Sequence, residues 1–138
     1  MSSREEIEGL VSRLHAARDT QSVDQTLACI DQSCTFRVVG TDRLGPLTAA
    51  ADTPEKLRGT AEALIGVWDL SGLRNVSVHI EGDTALAHRA GTVTYKPTGE
   101  TMQTEMMEKI TFKDGLIVEY LQFIDTYHVA GMMGINPA

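Results

Sequence analysis

The sequence predicts an α+β domain, and two observations carry that assignment. Apolar residues recur at helical spacing through much of the first half, whereas from residue 74 onward the apolar pattern has a period of two. Three turn sequences, Glu81-Gly82-Asp83, Pro97-Thr98-Gly99-Glu100 and Lys113-Asp114-Gly115, cut that second part into strands at hairpin spacing. Helices followed by a meander of antiparallel strands belong to the α+β class rather than to alternating α/β.

Each element has a local reason. Ser2 or Ser3 can cap a first helix whose opening turn holds Glu5 and Glu6, and Ile7, Leu10, Val11 and Leu14 give it one apolar face. After the break at Gln21, Ser22 caps a short second helix carrying Val23, Leu27 and Ile30. Residues 34–40, CTFRVVG, are β-rich, and residues 41–52 read as a loop around Gly45-Pro46. Thr53-Pro54-Glu55 places a capping residue before a proline at the first helical position. Leu57, Ala61, Leu64, Ile65 and Trp68 supply the apolar face of that third helix, which Ser71-Gly72 is expected to end. Strands are expected over residues 74–80, 84–95, 102–112 and 116–126.

The chain of 138 residues has the size of one domain, expected to span residues 1–138. A hydrophobic fraction of 42% is enough for a core, and 22% charged residues is ordinary for a soluble globular protein. The formal net charge of −7 argues against nucleic acid and against acidic membrane surfaces as partners. The acidic start, MSSREEIEGL, has no apolar signal region, and no apolar run reaches membrane-spanning length, so the expected location is the cytoplasm. Cys29 and Cys34 fit no metal or redox spacing and read as reduced packing residues. No phosphate loop or metal-ligand spacing appears, so no cofactor and no metal are expected.

A sheet curled around a helix leaves a pocket, and strand parity suggests what lines it. Ala87, Arg89, Gly91 and Val93 share one face of their strand, and Met106, Glu108, Ile110 and Phe112 share one face of the next. Leu121, Phe123 and Asp125 share a face of the last strand. If these faces are concave, Arg89, Glu108 and Asp125 converge on an apolar space. The opposite faces mix apolar and polar groups, as a homodimer surface would.

The order of elements, together with several short runs, resembles the nuclear-transport-factor-2-like fold. The runs are residues 57–64 (LRGTAEAL), residues 81–85 (EGDTA) and Pro97-Thr98-Gly99-Glu100. The most specific is Phe112-x-Asp114-Gly115-x-Ile117-x-Glu119, continuing to Phe123-Ile124-Asp125 and to residues 131–134. Within that fold the chain is most similar to the SnoaL-like and ketosteroid-isomerase-like group, which also includes polyketide-cyclase-like proteins. The resemblance covers nearly the whole chain. It implies a cone-shaped, cystatin-like α+β barrel with N-terminal helices packed on a curved, mostly antiparallel sheet.

The resemblance also implies roles. Asp125 stands where related enzymes carry a pocket acid or base, next to Phe123, and could move a proton at a carbon beside a carbonyl. Arg89 matches an arginine that holds such an acid in the epoxide-hydrolase subgroup, although the second aspartate of that set is Gly91 here. Glu108 matches the oxyanion-hole acid of ketosteroid isomerases, but their tyrosine and general-base positions are Leu14 and Arg37. Asp125, Arg89 and Glu108 are thus the catalytic candidates. Arg37, His15, Trp68, Phe123, Met106 and Tyr127 are the ligand-binding candidates. The expected function is binding of a small hydrophobic, carbonyl-bearing ligand, with isomerase, cyclase or dehydratase chemistry. The alternative is a non-catalytic binding or protein-interaction module.

Overall fold

A computed structural model describes residues 3–135 of the chain. The first helix, α1 (Arg4–Asp19), starts at Ser3, whose hydroxyl accepts the Glu6 amide while the Glu6 carboxylate accepts the Ser3 amide. This reciprocal cap satisfies two donors that a helix start otherwise leaves open. The other candidate cap, Ser2, lies outside the described residues. Helix α1 buries Ile7, Val11, Leu14, His15, Ala17 and Arg18 along one stripe, so its apolar face ends in two polar side chains. Helix α2 (Val23–Ala28) is capped by Ser22, and strand β1 (Ile30–Val38) begins four residues before the β-rich run.

The segment expected as a loop contains a 3-10 helix at Asp42–Leu47. Helix α3 (Pro54–Val67) starts as expected at Thr53 and Pro54 but ends at Val67. Trp68 has extended dihedrals and begins strand β2 (Trp68–Glu81), where it pairs with Tyr95. Its helical spacing from Leu64 is overridden because the neighbouring strand is long enough to offer a pairing edge to residues 68–73. Burial there alternates with the β period, Trp68 and Leu70 inward. The ladder bulges between Asp69 and Gly72, where the Asp69 carboxylate accepts both the Ser71 amide and hydroxyl.

Strands β3 (Thr84–Tyr95), β4 (Glu100–Lys113) and β5 (Leu116–Phe123) complete one sheet in the order β1-β5-β4-β3-β2. Every neighbouring pair is antiparallel except β1 with β5. The β2–β3 pair comes very close at Gly72 and Gly91. A Cβ built on Gly91 would lie 2.2 Å from the Gly72 carbonyl oxygen, and its φ is 145°. The last strand ends at Phe123 rather than at residue 126, and helix α4 (Thr126–Met132) follows. Helix α1 packs across the concave side of the sheet. Among the described residues no helix is long and apolar enough to cross a membrane.

One parity differs from expectation. Beyond Val118 on β5 the buried residues are Tyr120 and Gln122, while Leu121 is half-buried and Phe123 is exposed. The cause is a bulge. Thr111 pairs with Glu119 and the next residue, Phe112, pairs with Ile117, so Val118 is an extra residue on β5. Period-two counting from Ile117 therefore reverses beyond it.

Candidate functional site

Two cavities lie inside the cone, and their polar wall comes from α1, β4 and β5. Register puts Glu108 directly opposite Gln122, with Tyr120 opposite Ile110 on the same face. From α1, His15 and Arg18 are three residues apart and so project from one side of the helix toward that face. All five side chains, His15, Arg18, Glu108, Tyr120 and Gln122, are buried.

They form one hydrogen-bonded cluster. His15 Nε2 lies 2.7 Å from Glu108 Oε1. The Tyr120 hydroxyl donates to Glu108 Oε2 through a short bond, and Gln122 Nε2 donates to the same oxygen at 3.0 Å. Arg18 Nη1 donates to the Tyr120 oxygen at 3.4 Å, and the Tyr120 ring is held edge-on by Phe36 with centroids 5.0 Å apart. Burial alone would raise the Glu108 carboxyl. The hydrogen bond and charge of His15, with the bonds from Tyr120 and Gln122, outweigh it and hold the group down at about 2. Tyr120 is pushed the other way, by burial and then by the Glu108 charge, so it stays a neutral hydroxyl. His15 Nδ1 is buried without a hydrogen-bond partner.

The larger cavity, about 50 Å³, has Arg18, Trp68, Val93, Met106 and Gln122 in its lining, with further apolar side chains around them. The smaller, about 30 Å³, has Arg18, Phe36, Leu57 and Tyr120 in its wall. Arg18 and Leu64 stand in both linings, so the Arg18 side chain sits where the two spaces meet. Arg18 is 7% exposed and has no carboxylate within ion-pair distance among the described residues.

The residues singled out from the sequence divide between the inside and the outside of the cone. Glu108, His15, Trp68 and Met106 are buried within it. His15, a ligand-binding candidate, is enclosed against Glu108. Asp125 does not face the cone. It is exposed and caps α4, its Oδ1 accepting the His128 amide at 3.0 Å. Arg89 is buried but turns away from Asp125. Its Nη2 pairs with Asp19 at 3.1 Å and its Nε donates to Asn75, which ties the end of α1 to β2 and β3. Arg37 is half-buried on the outer face of β1, opposite Leu121. Phe123 is 44% exposed on the outer face and Tyr127 is 92% exposed on α4, so neither reaches the cavities. The Val118 bulge explains Phe123, and the end of β5 at Phe123 explains Asp125 and Tyr127.

Sequence reasoning missed Arg18, Tyr120 and Gln122. The signal for Arg18 was present, since positions 7, 11, 14, 15 and 18 fall on one helical stripe. Tyr120 and Gln122 were placed on the wrong face by the unseen bulge. Gly91 also has a plain explanation. The close β2–β3 approach leaves no room for any side chain there, so the acid–arginine–acid set cannot be completed on this backbone. Among the described residues, no three His, Cys, Asp or Glu side chains are grouped as metal ligands.

A family model of the SnoaL-like domain matches residues 11–120. The chain belongs to this family. Solved structures agree on the fold of this SnoaL-like protein. A candidate isomerase from Bacillus subtilis superposes with a TM-score of 0.84 at 16% identity, covering 99% of this chain and 98% of its own. An NTF2-like protein of unknown function from Burkholderia pseudomallei K96243 gives 0.78 at 14% identity, covering 95% and 97%. A candidate SnoaL-like polyketide cyclase from Jannaschia sp. CCS1 gives 0.75 at 16% identity, covering 98% and 96%. At these identities the likeness is one of fold. No curated protein matches the sequence.

Proposed function

We propose that this SnoaL-like protein binds a small, largely hydrophobic ligand carrying a carbonyl or related oxygen inside the cone. The observation that carries the reading is the pairing of apolar cavity walls with a few polar groups, Arg18 bordering both cavities, Gln122 the larger and Tyr120 the smaller. The ligand oxygen would face the N–H groups of Arg18 that are free among the described residues, and its apolar body would lie against Trp68, Val93 and Met106.

The same geometry favours proton transfer next to the carbonyl, as in isomerisation, cyclisation or dehydration. Donors fixed in a buried site stabilise the negative charge that grows on an enolate oxygen. Arg18, which keeps free N–H groups, is suited to polarise that oxygen, and Tyr120, a neutral hydroxyl whose own proton goes to an ionised Glu108, holds the guanidinium in place. The Glu108–His15 pair behind it would hold or pass the proton. In this reading the acid–base role proposed for Asp125 belongs to the buried cluster. A homodimer through the outer face of the sheet, where Leu86 and Phe123 are exposed, completes the proposal.

Cyclopentanone is a suitable neutral probe. Trp68, the single tryptophan, lines the larger cavity, so its fluorescence reports occupancy. Saturable quenching is expected, together with protein-accelerated exchange of the ketone's α-protons for deuterium by NMR. Binding without exchange would leave a binding module, and no binding at any accessible concentration would refute the proposal.

A further inference from the structure

Arg18 is the feature of the cone that the binding of a neutral ligand does not use up. A guanidinium offers five N–H donors in a planar fork, and burying one uncompensated is costly. Here a single long bond, 3.4 Å to the Tyr120 hydroxyl, is the side-chain partner of Arg18 among the described residues. The nearest acid in the cluster, Glu108, is already engaged by His15, Tyr120 and Gln122 and meets Arg18 only through the Tyr120 hydroxyl. The other buried arginine, Arg89, shows the contrast: it has its own carboxylate in Asp19. Arg18 instead faces two spaces with otherwise mostly apolar walls, and Glu105, in the lining of the larger one, is engaged by His88 at 2.8 Å.

We infer that Arg18 is an anion anchor and that the natural ligand of the cone is a small monocarboxylate with an apolar body. This deepens the ligand-binding reading above and rests on it. A carboxylate matches the guanidinium fork with two parallel bonds, which a lone carbonyl does not. One cation in an apolar space compensates one negative charge, so a doubly charged phosphate would remain half unpaired there. Each cavity holds only a handful of non-hydrogen atoms, since about 10–15 Å³ of such space is needed for one water. Chain length should therefore be limited. Because Arg18 borders both cavities, the apolar body could enter either one from the same anchor.

Butyrate and butyramide test this, being alike in shape and different in charge. Each is titrated against the full chain at fixed ionic strength, with Trp68 fluorescence as the readout. Butyrate should bind at least tenfold more tightly than butyramide. In Arg18→Met that preference should fall to less than twofold, because butyrate loses far more affinity than butyramide does. Equal binding of the two probes to the wild-type protein would overturn the carboxylate inference while leaving the ligand-binding reading intact. Binding of neither butyrate, butyramide nor cyclopentanone would overturn both. The melting temperature of Arg18→Met is a second measurement that does not need a ligand. It should match or exceed that of wild type, because a lone buried charge is removed. A large drop would show that the guanidinium is satisfied internally and would overturn the inference.

Discussion

Replacing Glu108 with Gln keeps the volume and removes the charge at the centre of the buried cluster. Glu108 accepts three hydrogen bonds, one at Oε1 from His15 and two at Oε2 from Tyr120 and Gln122. An amide oxygen can serve the two donors on one side, but its NH₂ then faces His15 Nε2. The imidazole can accept from it only with Nε2 unprotonated and its proton on Nδ1, which has no partner. One orphaned buried donor costs about 1–3 kcal/mol, and the remaining bonds lose their charge assistance, offset in part by the relief of burying a carboxylate. A net loss of about 2–4 kcal/mol at pH 7 follows, a large share of a typical stability of about 5–15 kcal/mol.

Linkage gives an independent magnitude. The Glu108 carboxyl is held below its ordinary 4.5, at about 2, so its contribution is present above pH 4.5 and lost as pH falls toward 2. At about 1.4 kcal/mol per pH unit, that window is worth about 3 kcal/mol. Urea unfolding followed by circular dichroism at pH 7, 5 and 3 provides the assay. Wild type should be more stable than Glu108→Gln by about 3 kcal/mol at pH 7, and the two curves should converge on acidification. A difference below about 1 kcal/mol at pH 7, or one that stays constant with pH, would refute the reasoning.

Two further predictions concern the scaffold. Gly91→Ala should destabilise by about 3 kcal/mol or more in the same urea assay, because its Cβ meets the Gly72 carbonyl oxygen and its φ is one that L-residues rarely adopt; a loss under about 1 kcal/mol would show that the β2–β3 approach is loose. Phe123→Asp places a charge on the outer face of the sheet and should halve the mass measured by analytical ultracentrifugation without lowering Trp68 quenching by cyclopentanone. An unchanged mass would remove this face from the dimer proposal.

Much of the fold was legible because its signals are local. Ser22, Thr53 and Pro54 mark helix starts through their own side chains and dihedrals, and the three turn sequences mark hairpins in the same way. The site was less legible because it depends on register. The extra residue Val118 alters no local pattern, yet it exchanges Leu121 and Phe123 for Tyr120 and Gln122 on the concave face. Asp125 looked like the end of a strand because the apolar run reaches Ile124, but an aspartate is also a good helix cap, and tertiary context selected the cap. Trp68 fits a helix face and a strand face equally well, and the pairing edge of β3 decided between them. Arg18 shows the opposite case. It was readable on the α1 stripe, and what the sequence could not reveal was that no acid would meet it.

The central claim is that ligand recognition lies inside the cone and not at Asp125. The most direct measurement compares cyclopentanone binding in Asp125→Asn and Val93→Phe by Trp68 fluorescence. Asparagine caps a helix about as well as aspartate, so the first change tests the carboxylate alone. The second puts a phenyl ring into the larger cavity. Wild-type affinity in Asp125→Asn with loss of binding in Val93→Phe is the expected result; lost binding in Asp125→Asn with retained binding in Val93→Phe would contradict the account.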